Sequence, residues 1–409
     1  MFNASLGETA ETARGKVIRT QQGSRGHAVY GPYESLPSGR YKVTFRLEAD
    51  ALGDDTALAL VDVAAEFGQR LLAYDFVFAS QFQSGVAEIE LPFEISDSAA
   101  LEYRVHVAGS VPLRVYDAPS VSRLAEDAST EASRGSVRTT DLLRHRRPLL
   151  KAFYDAGATL RRSTDGMTIT FSGVTFNANC YDDVNFVDEL FTKSAYNFLS
   201  PHDTCVIDVG MNVGLASLLF AAKPFVTEVH SFEPFEETFT RGLANLRLNP
   251  NLAAKIKPTM VGLSDADESA IFRVADTRGD SGGQSTQDVA GGIPTRLELR
   301  EAAAVLRPIV TSARARGLRV VVKVDCEGAE FPLFKSLSRD DLLQEIDALM
   351  VEWHRVLPGK DQTELIQPLL DRGFLVFDLT PPSGNGFFYA ARLSACREGG
   401  KAFEYRAAR

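Results

Sequence analysis

The stretch Val206-Ile207-Asp208-Val209-Gly210-Met211-Asn212-Val213-Gly214 decides the fold of this chain. Cys205 to Val209 is a continuous apolar run, the pattern of a strand buried on both faces. Gly210 ends it, and Val213 to Ala222 has the apolar spacing of a helix. A glycine there permits a tight turn and lets the backbone approach a ligand closely. Many folds contain such a strand, turn and helix, so the next strand carries the discrimination. Val226 to Phe232 is apolar and ends in Glu233, about 20 residues beyond the glycines. A doubly wound sheet presents an acid to ribose hydroxyls at this point, and a carboxylate accepts two hydrogen bonds from a vicinal diol.

The pattern continues downstream. Ile256 to Leu263, Val320 to Val324 and Ala348 to Glu352 read as further strands, and Phe235 to Leu248 reads as a helix. Strand and helix in alternation predict a parallel sheet covered on both faces, a Rossmann-like α/β domain. The loop Val261-Gly262-Leu263-Ser264-Asp265 is placed to meet a nucleoside base, with Asp265 accepting from its amino group. An ordinary turn is the plainer reading of that loop. Asp208, Gly210, Asn212, Gly214, Glu233, Ser264 and Asp265 are therefore the candidate cofactor contacts. Asp208 also has a structural reading, as the carboxylate that fixes the turn.

Upstream the periodicity changes. Tyr41, Val43, Phe45 and Leu47 alternate with polar residues, as do Ala87 to Phe93 and Leu101 to Val107. With Ala57 to Val63 and Leu71 to Phe78, these short strands predict an all-β sandwich over residues 1–125. Residues 126–200 form the lead-in. Ala125 to Ser136 reads as a linker or exposed helix, Leu142 to Tyr154 as a helix, and Met167 to Phe176 as a hairpin turning at Ser172-Gly173. Asp183 to Leu199 reads as a second helix, and residues 201–409 form the α/β domain.

With 409 residues, 44% of them hydrophobic, the chain can bury two cores. A net charge of -10 argues against a nucleic-acid partner, which calls for clustered Lys and Arg. The basic residues between Arg134 and Lys151 read as a solvated face. Val213 to Ala222 is too short to span a bilayer. Met1 to Lys16 lacks the basic start and apolar run of a leader, and Cys180, Cys205, Cys326 and Cys396 have no disulfide or zinc spacing. These features predict a reduced, cytoplasmic setting.

Val206 to Ala221, Ser231 to Asn249, Gly262 to Asp265, Val322 to Glu330 (Val-Lys-Val-Asp-Cys-Glu-Gly-Ala-Glu) and Val351-Glu352-Trp353-His354 occur in order. This ordered set resembles the FkbM family of S-adenosylmethionine (SAM)-dependent methyltransferases over roughly Arg138 to Phe388. The resemblance implies SAM as cofactor and O-methylation, often of sugar or polyketide hydroxyls. Met211 departs from the small residue common there, which bears on the pocket wall.

Methyl transfer from a sulfonium is an in-line displacement, and an alcohol acceptor also needs a group to take its proton. Asp325, Glu327 and Glu330 follow one strand; Glu352 and His354 follow another. Carboxyl ends of strands face the ligand crevice in an open α/β sheet. His354 is the expected general base because neutral imidazole is abundant near pH 7, with Glu352 or Asp325 orienting it and Asp325 the second candidate. Glu327 is a candidate substrate contact, or alternatively a helix cap. Lys323, inside an apolar strand, needs an acidic partner. No compact metal motif is present, so no metal is assigned. A divalent cation held by Asp325, Glu352 and His354 is the alternative.

Two segments point to the acceptor. Ala275 to Arg296 is rich in Gly, Asp, Ser and Gln and reads either as a substrate lid, with Gln284 a candidate contact, or as simple disorder. Gly26 to Tyr33 with Leu36 to Tyr41 resembles the edge of jelly-roll carbohydrate-binding modules, in which Tyr30 and Tyr33 would stack on sugar. Both tyrosines have a packing alternative. The expected partner is a glycan or glycosylated small molecule. The competing expectations are an NAD-dependent sugar oxidoreductase, disfavoured by the missing Gly-x-Gly-x-x-Gly, and a non-catalytic glycan-binding protein.

Overall fold

The computed structural model describes residues 2–96, 100–124, 145–164, 166–274, 291–355 and 359–392. The linker Ala125 to Ser136, the start of the helix expected from Leu142, Gln284 and Cys396 lie outside them. The chain divides into two compact units, Met1–Phe171 and Ser172–Arg409.

The first unit is a sandwich of two antiparallel sheets. Gly39–Glu48 is the central strand of one, pairing with Val86–Ile95 from Gly39↔Ile95 to Glu48↔Val86. Tyr41, Val43, Phe45 and Leu47 are buried along it while Lys42, Thr44 and Arg46 are half-buried, as the period-2 pattern requires. Ala57–Ala65 lies inside the other sheet, between Arg70–Phe78 and Ala100–Val107. Every residue of this strand is buried, so both of its faces are covered. The helix Arg147–Asp155 packs beside this sheet through Tyr154, whose ring lies 5.7 Å from that of Phe76 and whose hydroxyl donates to the His106 carbonyl at 3.1 Å.

The second unit is built on a seven-stranded sheet: β1 (Thr204–Val209), β2 (Val226–Phe232), β3 (Ile256–Thr259), β4 (Arg319–Val324), β5 (Ala348–Trp353), β6 (Phe374–Asp378) and β7 (Gly386–Arg392). Their order is β3-β2-β1-β4-β5-β7-β6. β1 to β5 run parallel, and β7 runs antiparallel to both β5 and β6. The direction of strand addition reverses between β1 and β4, which opens a crevice at their carboxyl ends. The helices Ala302–Ala315, Glu330–Arg339 and Thr363–Leu370 share one apolar core with β1, β4 and β5. The helix Leu215–Ala221 packs against β1, β2 and β3.

Three expectations change. The strand expected over Ile256 to Leu263 is two. Ile256–Thr259 pairs with β2, whereas Gly262–Ser264 pairs with Ile293–Glu301 in a separate three-stranded sheet. The reason is that β2 ends at Phe232: the Glu233 N–H takes the Thr259 carbonyl as its partner, and β3 has no neighbour to follow further. Ile293 to Arg296, expected in a loop, begin that neighbouring strand, which pairs with Glu268–Val274. The helix expected over Asp183 to Leu199 is shorter. Tyr181–Val187 is α-helical, Asp188–Thr192 is a π-helical turn, and the chain then breaks through the positive φ of Ser194 and Tyr196.

Candidate functional site

The crevice begins at Gly210. Its φ is +84°, and a Cβ there would lie 1.7 Å from the Asp325 carbonyl oxygen. Only glycine lets the turn after β1 pass this close to the end of β4. Gly214, with φ +81°, faces Gly242 of the next helix, so it serves packing below the crevice. The turn is tied to β2 by the N–H groups of Gly210 and Met211, which donate to the Phe232 carbonyl at 3.0 and 2.9 Å.

Gly210, Asn212, Glu233, Ser264, Asp325 and Glu327 line a cleft of about 830 Å³, a volume that includes space open to solvent. Glu233 is 5% exposed. Its two oxygens accept from the backbone N–H of Asn212 at 2.9 Å and of Phe235 at 3.1 Å. Burial pushes its carboxyl up to about 7, against the opposing pull of those two N–H groups and of Lys323. The buried acid is therefore held in place with capacity to accept further hydrogen bonds from a cleft occupant.

Behind this wall lies Lys323, buried on β4. Its ammonium is 3.1 Å from Asp208, donates to the Gly210 carbonyl at 2.5 Å, and lies 3.6 Å from Asp325. Burial alone would lower its pKa; the charges of Asp208 and Asp325 more than offset this and hold it above the ordinary lysine range. Asp208 is fully buried and also accepts from the Ser217 hydroxyl at 2.5 Å. It is placed to fix the turn, with Lys323 as counter-charge, and it is not among the residues lining the cleft.

Asp325, which also lines the cleft, meets a group that the sequence did not reveal. The Tyr196 hydroxyl lies 2.9 Å from Asp325 Oδ2 and 2.8 Å from Glu352 Oε2. Burial and the Asp325 charge push the Glu352 carboxyl up to about 7. One phenolic hydrogen can donate to one acceptor, so the second short contact calls for a proton on one of the acids. The positive φ of Tyr196, +58°, turns it inward after the helix breaks, and no periodicity in the sequence signals that bend.

His354 is buried behind the acids, its Nδ1 2.9 Å from Glu330 Oε1 and its Nε2 3.3 Å from Glu327 Oε2. Burial would lower its pKa, but the hydrogen bond and charge of Glu330, followed by Glu327, raise it to about 9. This corrects the reason given for a neutral base. With a carboxylate at each nitrogen the ring favours the imidazolium, which has no lone pair to accept a proton. His354, Asp325 and Glu327 nevertheless bring their ligand atoms within 4.8 Å of one another.

The remaining candidates fall elsewhere. Asp265 pairs with Lys335 at 2.5 Å, outside the main cleft, while its neighbour Ser264 lines it. Tyr30 and Tyr33 belong to the first unit. Tyr33 packs at 5.4 Å on the ring of Phe67, which is 76% exposed.

Residues 208–376 match the family model described as the methyltransferase FkbM domain. The chain carries an FkbM methyltransferase domain. The matched residues include Gly210, Glu233, Asp325, Glu352 and His354, whereas Tyr196 precedes them. Over 213 residues the chain is 25% identical to methyltransferase sdnD of Sordaria araneosa, covering 46% of this chain and 80% of that protein. It is 36% identical over 87 residues to the AMB antimetabolite synthetase AmbE of Pseudomonas aeruginosa; the match spans 21% of this chain and 4% of the synthetase. The FkbM methyltransferase of Methylobacillus flagellatus aligns in structure over 52% of this chain and 51% of its own, at 16% identity and a TM-score of 0.34. No helix among the described residues is long and apolar enough to cross a membrane.

Proposed function

We propose that the second unit is a Rossmann-like, SAM-dependent O-methyltransferase acting on a hydroxyl of a sugar, glycan or glycosylated product. One observation carries this reading: a single cleft is lined both by a buried, backbone-anchored carboxylate, Glu233, and by Asp325, whose carboxylate meets Glu352 through the Tyr196 hydroxyl. SAM fits beside Glu233. Gly210 leaves no room for a Cβ where the backbone turns, and Glu233 has acceptor capacity for a ribose diol. Bound SAM supplies an electrophilic methyl, so that an O–CH3 bond replaces the acceptor O–H bond while the sulfonium becomes a thioether. Asp325, lining the cleft, takes the hydroxyl proton in place of His354. Tyr196 and Lys323 orient that carboxylate.

The glycan part of the reading draws on the first unit, where Phe67 exposes an aromatic face beside Tyr33. A cytoplasmic setting belongs to the same proposal and rests on a cysteine spacing that fits no disulfide framework.

Calorimetry with SAM and with NAD tests the cofactor. Micromolar SAM binding without NAD binding supports the reading, and Glu233→Ala should weaken SAM by about 1–3 kcal/mol. A folded Glu233→Ala variant with unchanged SAM affinity removes Glu233 from the ribose role. NAD binding without SAM binding would instead favour the oxidoreductase.

A further inference from the structure

His354 sits in an arrangement that orients an imidazole toward a cation. Its Nδ1 is 2.9 Å from Glu330 Oε1, so the Nδ1–H is directed to a carboxylate and Nε2 is left to face Glu327 at 3.3 Å. Glu330 is itself rigid. It is fully buried, and the same oxygen accepts from the N–H groups of Gly328 at 3.1 Å and Cys326 at 3.3 Å. Its other oxygen is buried without a hydrogen-bond partner among the described residues. A carboxylate behind a histidine fixes the tautomer and the ring direction, which is the supporting shell of histidine metal ligands.

The front of the ring meets oxygen donors. Ligand atoms of Asp325, Glu327 and His354 all lie within 4.8 Å of one another. An octahedral ion with bonds of about 2.1 Å holds neighbouring ligands roughly 3 Å apart and opposite ones about 4.2 Å apart. The 3.3 Å between His354 Nε2 and Glu327 Oε2 is close to the first spacing, and an Asp325 oxygen lies within 4.8 Å of both. Asp325 is fixed through Oδ2, 2.9 Å from the Tyr196 hydroxyl and 3.6 Å from the Lys323 ammonium. Asp325 and Glu327 also line the cleft, so an ion between them is reachable from it.

We infer that Asp325, Glu327 and His354 bind one divalent cation at the cleft, with Glu330 orienting the histidine. Two carboxylates and one imidazole suit an ion that accepts both oxygen and nitrogen, such as Mn2+, better than Ca2+. Bound there, the ion lowers the pKa of a hydroxyl that reaches it, so that a weak base suffices. Only this last role rests on the methyltransferase reading. The binding site does not.

The test is titration of the full chain with Mn2+ alone, without SAM or acceptor, followed by the electron paramagnetic resonance signal of free Mn2+ and by calorimetry. One Mn2+ per chain is expected. Glu327→Gln should weaken it at least tenfold, and Glu330→Gln by about 10–100-fold. Glu330 is buried and its substitution threatens folding; Glu327, on a partly exposed loop, keeps the test valid because its variant should retain the parent's thermal unfolding midpoint. No stoichiometric binding up to millimolar Mn2+ overturns the inference and leaves a proton on His354 as the cluster's cation. Binding that Glu327→Gln leaves unchanged overturns it as well. SAM affinity, measured separately, reports on the proposed function and not on the metal.

Discussion

Glu228 lies in β2 and Glu233 directly follows it, five residues on; they are 6% and 5% exposed. Their surroundings are opposite. Glu228 lies 2.7 Å from Lys257 and 3.6 Å from His230, and it also pairs with Arg316. These partners outweigh its desolvation and pull its pKa down to about 2. Glu233 receives two backbone N–H groups, and burial drives it up to about 7. One buried carboxylate is neutralised by the fold. The other is left available for something outside the fold. Equal burial thus says nothing about role, whereas the identity of the partners does.

The comparison breaks most visibly at the turn after β1, whose Asn212 N–H holds Glu233, whereas Glu228 is held by Lys257 and Arg316. Gly210→Ala puts a Cβ against the Asp325 carbonyl in a left-handed backbone. It should cost about 3–5 kcal/mol of stability and abolish SAM binding. Urea unfolding read by circular dichroism measures it, and a loss below about 1 kcal/mol means the two strand ends are not locked together as described.

A subtler difference lies in pH. The folded pKa of Glu228 is below its ordinary value of 4.5, so its contribution is full above pH 4.5 and is lost as pH falls toward 2. Glu233 has the opposite sign. Its folded pKa is above 4.5, so the folded chain holds the proton more tightly. Its contribution is full below pH 4.5 and is lost as pH rises toward 7. Urea stability measured from pH 3 to pH 8 should therefore change slope differently in two variants. Glu228→Gln flattens the acid limb and costs about 1–3 kcal/mol at pH 7. Glu233→Gln flattens the decline between pH 4.5 and 7. Matching curves would mean that the two acids share one environment.

The smallest effect sharpens the outer limit of the site. Asp265 pairs with Lys335, whose side chain is 70% exposed, and does not line the cleft that Ser264 lines. Asp265→Asn should change stability by less than about 1 kcal/mol and SAM affinity by less than about threefold. A tenfold loss of SAM affinity would restore Asp265 to the base-recognition role expected from its loop.

The sequence carried the sheet because buried parallel strands leave an unmistakable signature. Cys205 to Val209, Val226 to Phe232 and Val320 to Val324 are apolar runs bounded by turns, and each forms the strand expected. Gly210 and Glu233 were legible for a similar reason: their chemistry depends on position along the chain, at the end of a strand. Tyr196 was not legible, since it reaches Asp325 and Glu352 across 129 and 156 residues by way of a broken helix. The split of Ile256 to Leu263 was hidden too, because it depends on where the neighbouring strand stops.

The sequence by itself thus determined which residues form strands, where the turn after β1 must be glycine, and which strand ends carry acids. Those are local matters of hydrophobic period, backbone freedom and side-chain type. The tertiary structure alone decided what each charged group meets. It set Lys323 against Asp208, Glu228 among cations, Glu233 among N–H groups, and His354 between Glu330 and Glu327. Protonation, and with it the choice between base, counter-charge and ligand, depends on distances between groups far apart in the chain. Electrostatic energy falls with distance in space and takes no account of separation in sequence.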